Sequence, residues 1–272
     1  MREAPSLSAA LERQGPFAVD GITYAEARAA WLGYRKAHGY VGYAPMLTPP
    51  EKQRKLGKDR TLPLYSLSLS PASQSGDWNV CAWSTPKCRA ACVLTARYES
   101  VAEARKVRTL FIAEHPAEAV ALIAGELRAA VDARGPIGFR PNAGSDIRWE
   151  RIAPDLFQLD GVSVYDYTKA PAAQRTSLDG VYRLVFSVSE HEKSERDALD
   201  YLRSGGTAAV VFATRKGQPL PATWNGFTVV DGDLSDNRMT EPGGVVVGLR
   251  AKGRALRHAI DSTGFVKPNV AS

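Results

Sequence analysis

The chain predicts an α/β protein, an incomplete β/α barrel with mostly parallel strands and a small helical N-terminal extension. Three observations lead there. Seven short, largely apolar runs, at residues 64–69, 137–140, 162–168, 182–188, 208–213, 227–231 and 245–249, have the length and composition of strands. They are separated by helical patterns or long connections, the arrangement that makes neighbouring strands parallel. Polar residues gather just after one run after another, the edge where barrels keep their chemistry.

Taken in order, residues 24–38 mix Ala25, Ala29, Ala30, Leu32 and Tyr34 with Arg28, Arg35 and Lys36, and predict a helix. A loop with Pro45, Pro49 and Pro50 follows. In residues 51–60, Lys52, Arg54, Lys55, Lys58 and Arg60 outnumber Glu51 and Asp59, a solvated loop or a phosphate-contacting arm. Residues 1–61 therefore form the basic, helical extension, and residues 62–272 the barrel-like, metal-binding domain. Residues 96–115 predict a long helix ended by Pro116. Residues 117–133 predict an Ala- and Leu-rich one stopped by Gly135-Pro136. Residues 192–205 are helix-like between the fourth and fifth strands.

With 272 residues, 44% of them hydrophobic and 24% charged, the chain can bury a sizeable core as one large domain or two small ones. A net charge of +6 suits a nucleic acid or a phosphorylated small molecule as partner. No run approaches ~18 apolar residues, and the first residues lack an apolar signal core, so a cytoplasmic protein without membrane contact is expected. The sequence leaves the oligomeric state open.

Cys81, Cys88 and Cys92 are the only cysteines, in the pattern C-x6-C-x3-C. An odd, clustered set argues against a disulfide framework and for a soft metal ion or an iron–sulfur cluster. Three thiolates leave a fourth position open. His191, at the end of the fourth strand, is the candidate fourth ligand or base. If the strands are parallel, the cysteine loop shares one rim with Asp146 and Glu150, Asp166 and Lys169, Glu190, and Asp233. These six are the candidate catalytic residues. Each has a plainer alternative. Asp146 suits a helix cap, Asp231-Gly232-Asp233 a turn, and Lys169 beside Asp166 a charge pair or a phosphate contact as well as an acid–base couple. Arg97, Arg105 and Arg108 fall on one helix face and, with Lys252, are the candidate nucleic-acid contacts; a solvated face is the alternative. The chain carries no P-loop, GxGxxG, HExxH or Gly-x-Ser-x-Gly elbow, which leaves P-loop hydrolysis, zincin proteolysis and ordinary serine hydrolysis unsupported.

The cysteine pattern is followed by Ser145-Asp146-Ile147-Arg148-Trp149-Glu150 and Tyr165-Asp166-Tyr167-Thr168-Lys169. Later come Tyr182-Arg183-Leu184-Val185-Phe186-Ser187, Asp231-Gly232-Asp233-Leu234-Ser235-Asp236-Asn237-Arg238 and Val247-Gly248-Leu249-Arg250-Ala251-Lys252-Gly253. Together these resemble the phage "gene product 88" family over residues 64–266. Pro141 departs from the apolar residue usual before the Asn of that family. The resemblance implies a phage origin, hence the cytoplasm of an infected host cell, and no established activity.

Three functions are in view. The order strand, three-cysteine loop, helix and further strands resembles the radical S-adenosylmethionine enzymes, whose cysteines hold an iron–sulfur cluster; their spacing is C-x3-C-x2-C. This points to an enzyme acting on a nucleic acid or nucleotide, with an iron–sulfur cluster and S-adenosylmethionine as cofactors. The second function replaces the cluster by zinc in a base-exchange enzyme resembling the tRNA-guanine transglycosylases, with Asp146, Asp166 or Asp231 as nucleophile. The third is a non-enzymatic nucleic-acid-binding protein stabilised by its metal.

Overall fold

A computed structural model describes residues 4–53, 62–94, 98–176, 178, 181–253 and 264–269. Arg97, the start of the helix at Ala96, and Arg54, Lys55, Lys58 and Arg60 of the basic run lie outside the described residues, as does the boundary at residue 61.

All seven expected strands form, and they are the parallel ones. They are β2 (Leu64–Leu67), β3 (Ile137–Arg140), β4 (Val162–Thr168), β5 (Tyr182–Ser187), β6 (Thr207–Phe212), β8 (Phe227–Asp231) and β9 (Val246–Arg250). Two-residue antiparallel strands, β1 (Leu47–Thr48) and β7 (Thr223–Trp224), flank them. The sheet order is β1-β2-β3-β4-β5-β6-β9-β8-β7. From β2 to β6 neighbours in sequence are neighbours in space, as in a β/α barrel; β9 then enters between β6 and β8. Among the described residues β1 and β7 do not pair, so the fold is a mixed α/β sheet left open rather than a closed barrel.

The four expected helices are present as α2 (Tyr24–Ala37), α4 (Glu99–Glu114), α5 (Pro116–Arg134) and α7 (Glu192–Arg203). Pro116 both ends α4 and opens α5, because a first-turn proline loses no helical hydrogen bond. Thr23 and Glu26 form a reciprocal capping box at the start of α2. Three shorter helices, α1 (Leu7–Glu12), α3 (Pro86–Ala90) and α6 (Trp149–Ile152), carry no long apolar period to announce them.

One face of the sheet is covered by helices. Leu67, Ile137, Phe139, Val164 and Leu184 join Phe111 of α4 and Leu122, Ile123 and Leu127 of α5 in a single apolar cluster. Leu7 and Leu11 of α1, Trp31 of α2, Met46 and Leu47 belong to that same cluster. The N-terminal helices are thus packed into the core; a Cβ on Gly125 of α5 would lie 2.1 Å from the Tyr24 ring. Further along, α7 covers Phe186, Ala208, Val210 and Val246 with Ala198 and Leu202.

By strand alternation, Ser66, Arg140, Tyr165, Tyr167, Arg183, Val185, Ala209 and Val247 lie on the opposite face. The connection between β8 and β9 crosses it. Arg238, buried there, donates to the Tyr167 hydroxyl (2.9 Å) and to the carbonyls of Gly232 (2.7 Å) and Ser235. Arg183 donates to Thr207 Oγ1 (2.9 Å) and to the Pro242 carbonyl (3.2 Å).

Candidate active site at the strand ends

Because seven strands run parallel, their C-terminal ends form one rim. The cysteine loop leaves β2 and is fastened to that rim at two places. At the first, the Cys81 thiol donates to the Gly144 carbonyl (3.4 Å), beyond β3, and accepts from the Ala72 amide (3.5 Å). The Asp146 amide returns a bond to the Val80 carbonyl (2.8 Å). The loops touch so closely that a Cβ on Gly144 would lie 2.3 Å from Leu94. At the second, Glu190, beyond β5, accepts from the Thr85 hydroxyl (2.6 Å) and the Lys87 amide (3.2 Å). Thr85 in turn caps α3 by accepting from the Cys88 amide (3.2 Å). Cys88 itself packs beside Ala91, Ala251 and Phe265.

All three cysteines are free and half-buried. Burial pushes the Cys81 thiol up to about 12, and the charges of Asp146, Cys88 and Cys92 push the same way, against the Ala72 amide. Cys81 is therefore a neutral thiol at pH 7 unless a cation replaces its proton. Among the described residues, no three His, Cys, Asp or Glu side chains converge closely enough to hold a metal ion. His191 is exposed at the N-cap of α7.

Asp146, Glu150 and Asp166 do come together, around a residue the sequence did not single out. Arg175 is fully buried. Its guanidinium binds Asp146 Oδ1 (2.7 Å) and Glu150 Oε1 (2.7 Å) and Oε2 (3.2 Å), and reaches the Tyr182 hydroxyl. Burial alone would lower its pKa, but Tyr182, Asp146 and Glu150 outweigh that and raise it. Asp146 also accepts from the Thr168 hydroxyl and the Lys169 amide, each at 2.8 Å. Asp166 accepts from the Asn142 amide (2.9 Å) and side chain (2.8 Å) and from Tyr182 (3.3 Å). Burial nevertheless raises Asp166 to about 7, against the pull of Arg175, Arg140 and the Asn142 donors.

The Lys169 ammonium is directed to Ser187 Oγ (2.8 Å), not to Asp166, and lies 5.8 Å from the Phe265 ring centre. Asp233 lies apart from the Asp146 group. It accepts from the Arg250 amide (3.0 Å) and pairs with the Arg250 guanidinium (3.3 Å) and with Lys252. Asp231, which pairs with Arg250 at 2.8 Å, accepts from the Asp233 amide (2.9 Å), so turn chemistry and ion pairing coincide there. Of the expected nucleic-acid contacts, Arg105 donates to the Leu94 carbonyl and Arg108 to that of Pro45 (3.3 Å). Both are half-buried, and burial lowers both pKa values.

The family model described as "Gene product 88" matches residues 42–269, starting ahead of β1 and taking in the whole rim. No curated protein matches the chain. No solved structure matches it either.

Proposed function

We propose that this chain, which belongs to the gene product 88 family of phage proteins, is a metal-dependent enzyme acting on a nucleic acid or nucleotide at the C-terminal rim of its sheet. The observation that carries the proposal is the fastening of the cysteine loop. Cys81 is held against the β3 connection through Gly144, and Cys88 against the β5 connection through Thr85 and Glu190. Three free thiols on one loop suit a soft ion by donor type, although no three donors converge among the described residues. Cys81, Cys88 and Cys92 would hold an iron–sulfur cluster, with zinc as the alternative. When bound, such a cluster supplies single electrons, with S-adenosylmethionine as the cofactor that this chemistry calls for. The consecutive placement of β2 to β6 supports an incomplete-barrel geometry, with the substrate on the face opposite the helices.

The chain's own residues divide into two roles. Asp146, Glu150 and Asp166, bound to Arg175, Asn142 and Tyr182, position the β3 and β4 connections. Glu190 positions α3 and its cysteine. Lys169 faces the substrate side and is the group available to bind or protonate. Anaerobic purification followed by iron, sulfide and zinc quantification tests the proposal. Iron with sulfide, lost in Cys88→Ala, is the expected result. One zinc and no sulfide moves the base-exchange chemistry to the front. Metal content unchanged in Cys88→Ala removes the cysteine centre altogether.

A further inference from the structure

Arg140 ends β3 on the face opposite the helices, in register with Ser66 of β2. Its guanidinium lies 4.8 Å from the Tyr167 ring centre and 5.8 Å from that of Tyr165. Its Nε is sealed from solvent and has no hydrogen-bond partner. Among the described residues the side chain forms no ion pair and no hydrogen bond. The carboxylates whose charge it feels are Asp236 and Asp166. Asp166 has both oxygens occupied by Asn142, and neither carboxylate bonds Arg140. A sealed N–H left without an acceptor costs about 1–3 kcal/mol, so a fold that keeps one invites an explanation.

Lys169 follows on the same face. It stands two residues beyond Tyr167, about 7 Å along an extended chain. Its ammonium has one bond, to Ser187, and no ion pair among the described residues. Ser187 lies across the strand pair from it, since Thr168 is in register with Phe186. Arg140, Tyr167, Lys169 and Ser187 thus line one face at the rim, with two cations free of carboxylate partners among the described residues. The hydroxyl bond of Tyr167 to Arg238 fixes the ring over which the Arg140 guanidinium lies. A guanidinium presents a fork matching two oxygens of a phosphate, and a lysine adds a point charge.

We propose that Arg140 and Lys169, with the Ser187 hydroxyl, form a phosphate-binding site on the face of the sheet opposite the helices. The site takes the phosphate group of a nucleotide or of a nucleic-acid backbone. It deepens the proposed function by naming what the rim holds, and rests on it only for the assignment of that phosphate to a substrate. The binding itself needs no metal.

The test is calorimetric titration of the full chain with inorganic phosphate, adenosine monophosphate and a short oligodeoxythymidylate, at one ionic strength with chloride as balance. Saturable binding is expected, weakened at least about tenfold in Lys169→Met and in Arg140→Gln, one charge-assisted bond being worth about that much. Lys193→Met, which removes an exposed helix lysine paired with Asp197, leaves the affinity unchanged. Tighter binding of the monophosphate than of the oligonucleotide identifies a nucleotide site; the reverse identifies a backbone site. If Arg140→Gln fails to fold, Lys169→Met decides alone. Wild-type affinity in Lys169→Met, or no saturable binding of any of the three probes, overturns the proposal. Repeating the titration with Cys88→Ala separates the two centres. Phosphate binding kept there while metal is lost leaves this site standing, and phosphate binding lost in Lys169→Met while metal is kept leaves the cysteine centre standing.

Discussion

At the β3–β4 connections, Asp146, Glu150 and Asp166 are buried, and every one of their carboxylate oxygens accepts a hydrogen bond, with Arg175 wholly enclosed between two of them. On the opposite side of β3 and β4, among the described residues, the Arg140 side chain makes no hydrogen bond and the Lys169 ammonium makes one. The two groups lie on neighbouring strands and are equally polar in sequence. What separates them is remaining bonding capacity. A buried ion group with all its partners in place fixes the chain and is costly to disturb. A cation with unused donors beside an aromatic ring has capacity left for a ligand.

The largest expected effect tests the first half of that contrast. Arg175→Met leaves Asp146 and Glu150 facing each other without their cation, and breaking a buried pair from one side costs about 3–5 kcal/mol. Urea unfolding should show a loss of that size. A loss under about 1 kcal/mol would mean that the carboxylates share protons or reach water, and the network would no longer count as closed scaffolding.

The sequence announced the carboxylates but not their partner. Asp146, Glu150 and Asp166 follow strands, which a linear pattern reveals. Arg175 sits after a single 3-10 turn at Ala172–Gln174, in a connection without periodicity, and reaches its partners only through the fold. The seven parallel strands were legible because short apolar runs bounded by polar clusters have few other uses. Strand order past β6 was not, since nothing local tells β9 to pair with β6 before β8. Trp31 lies in a helix whose Ala, Arg and Lys content looks peripheral, yet it is fully buried and donates to the Ala44 carbonyl (2.8 Å). Arg140 read only as the last residue of a strand; that its Nε has no hydrogen-bond partner among the described residues is a three-dimensional fact.

Asp166 supplies the next test, through pH. Its folded pKa, about 7, is above the ordinary carboxylate value, so between pH 4 and 7 the folded chain holds a proton that the unfolded chain has released. Stability from this group is therefore present at the acid end and falls as pH rises towards 7, on the order of 3 kcal/mol across the interval. Asp166→Asn cannot titrate there. The stability difference between wild type and Asp166→Asn, from unfolding curves at a series of pH values, should shrink as pH rises. A difference that grows instead means that Arg175 and Arg140 keep Asp166 ionised in the fold.

Glu190 carries a smaller stake, confined to the cysteine loop. Glu190→Gln removes the charge behind the bonds from Thr85 and Lys87, costing about 1–2 kcal/mol. Amide exchange at residues 85–92 should accelerate while that in β4 and β5 stays unchanged. Unchanged exchange in the loop would show that Cys88 is held by its packing against Ala251 and Phe265 alone.

Lys252 marks the lower end of the range. It pairs with Asp233, but its side chain is 45% exposed, and Asp233 also binds Arg250. Lys252→Met leaves Asp233 with a cation, so the stability change should stay within about 0.5 kcal/mol, the ordinary worth of a surface pair. Its value lies in a second readout. The salt dependence of oligonucleotide binding changes slope by about one for each phosphate contact removed. Lys252→Met should leave that slope unchanged and Lys169→Met should lower it, because Lys252 must give up Asp233 before meeting a phosphate, whereas Lys169 has no carboxylate partner among the described residues. Equal changes in the two variants would extend the phosphate-binding surface from β4 across to β9 and make carboxylate pairing a poor guide to which cations on this rim are in use.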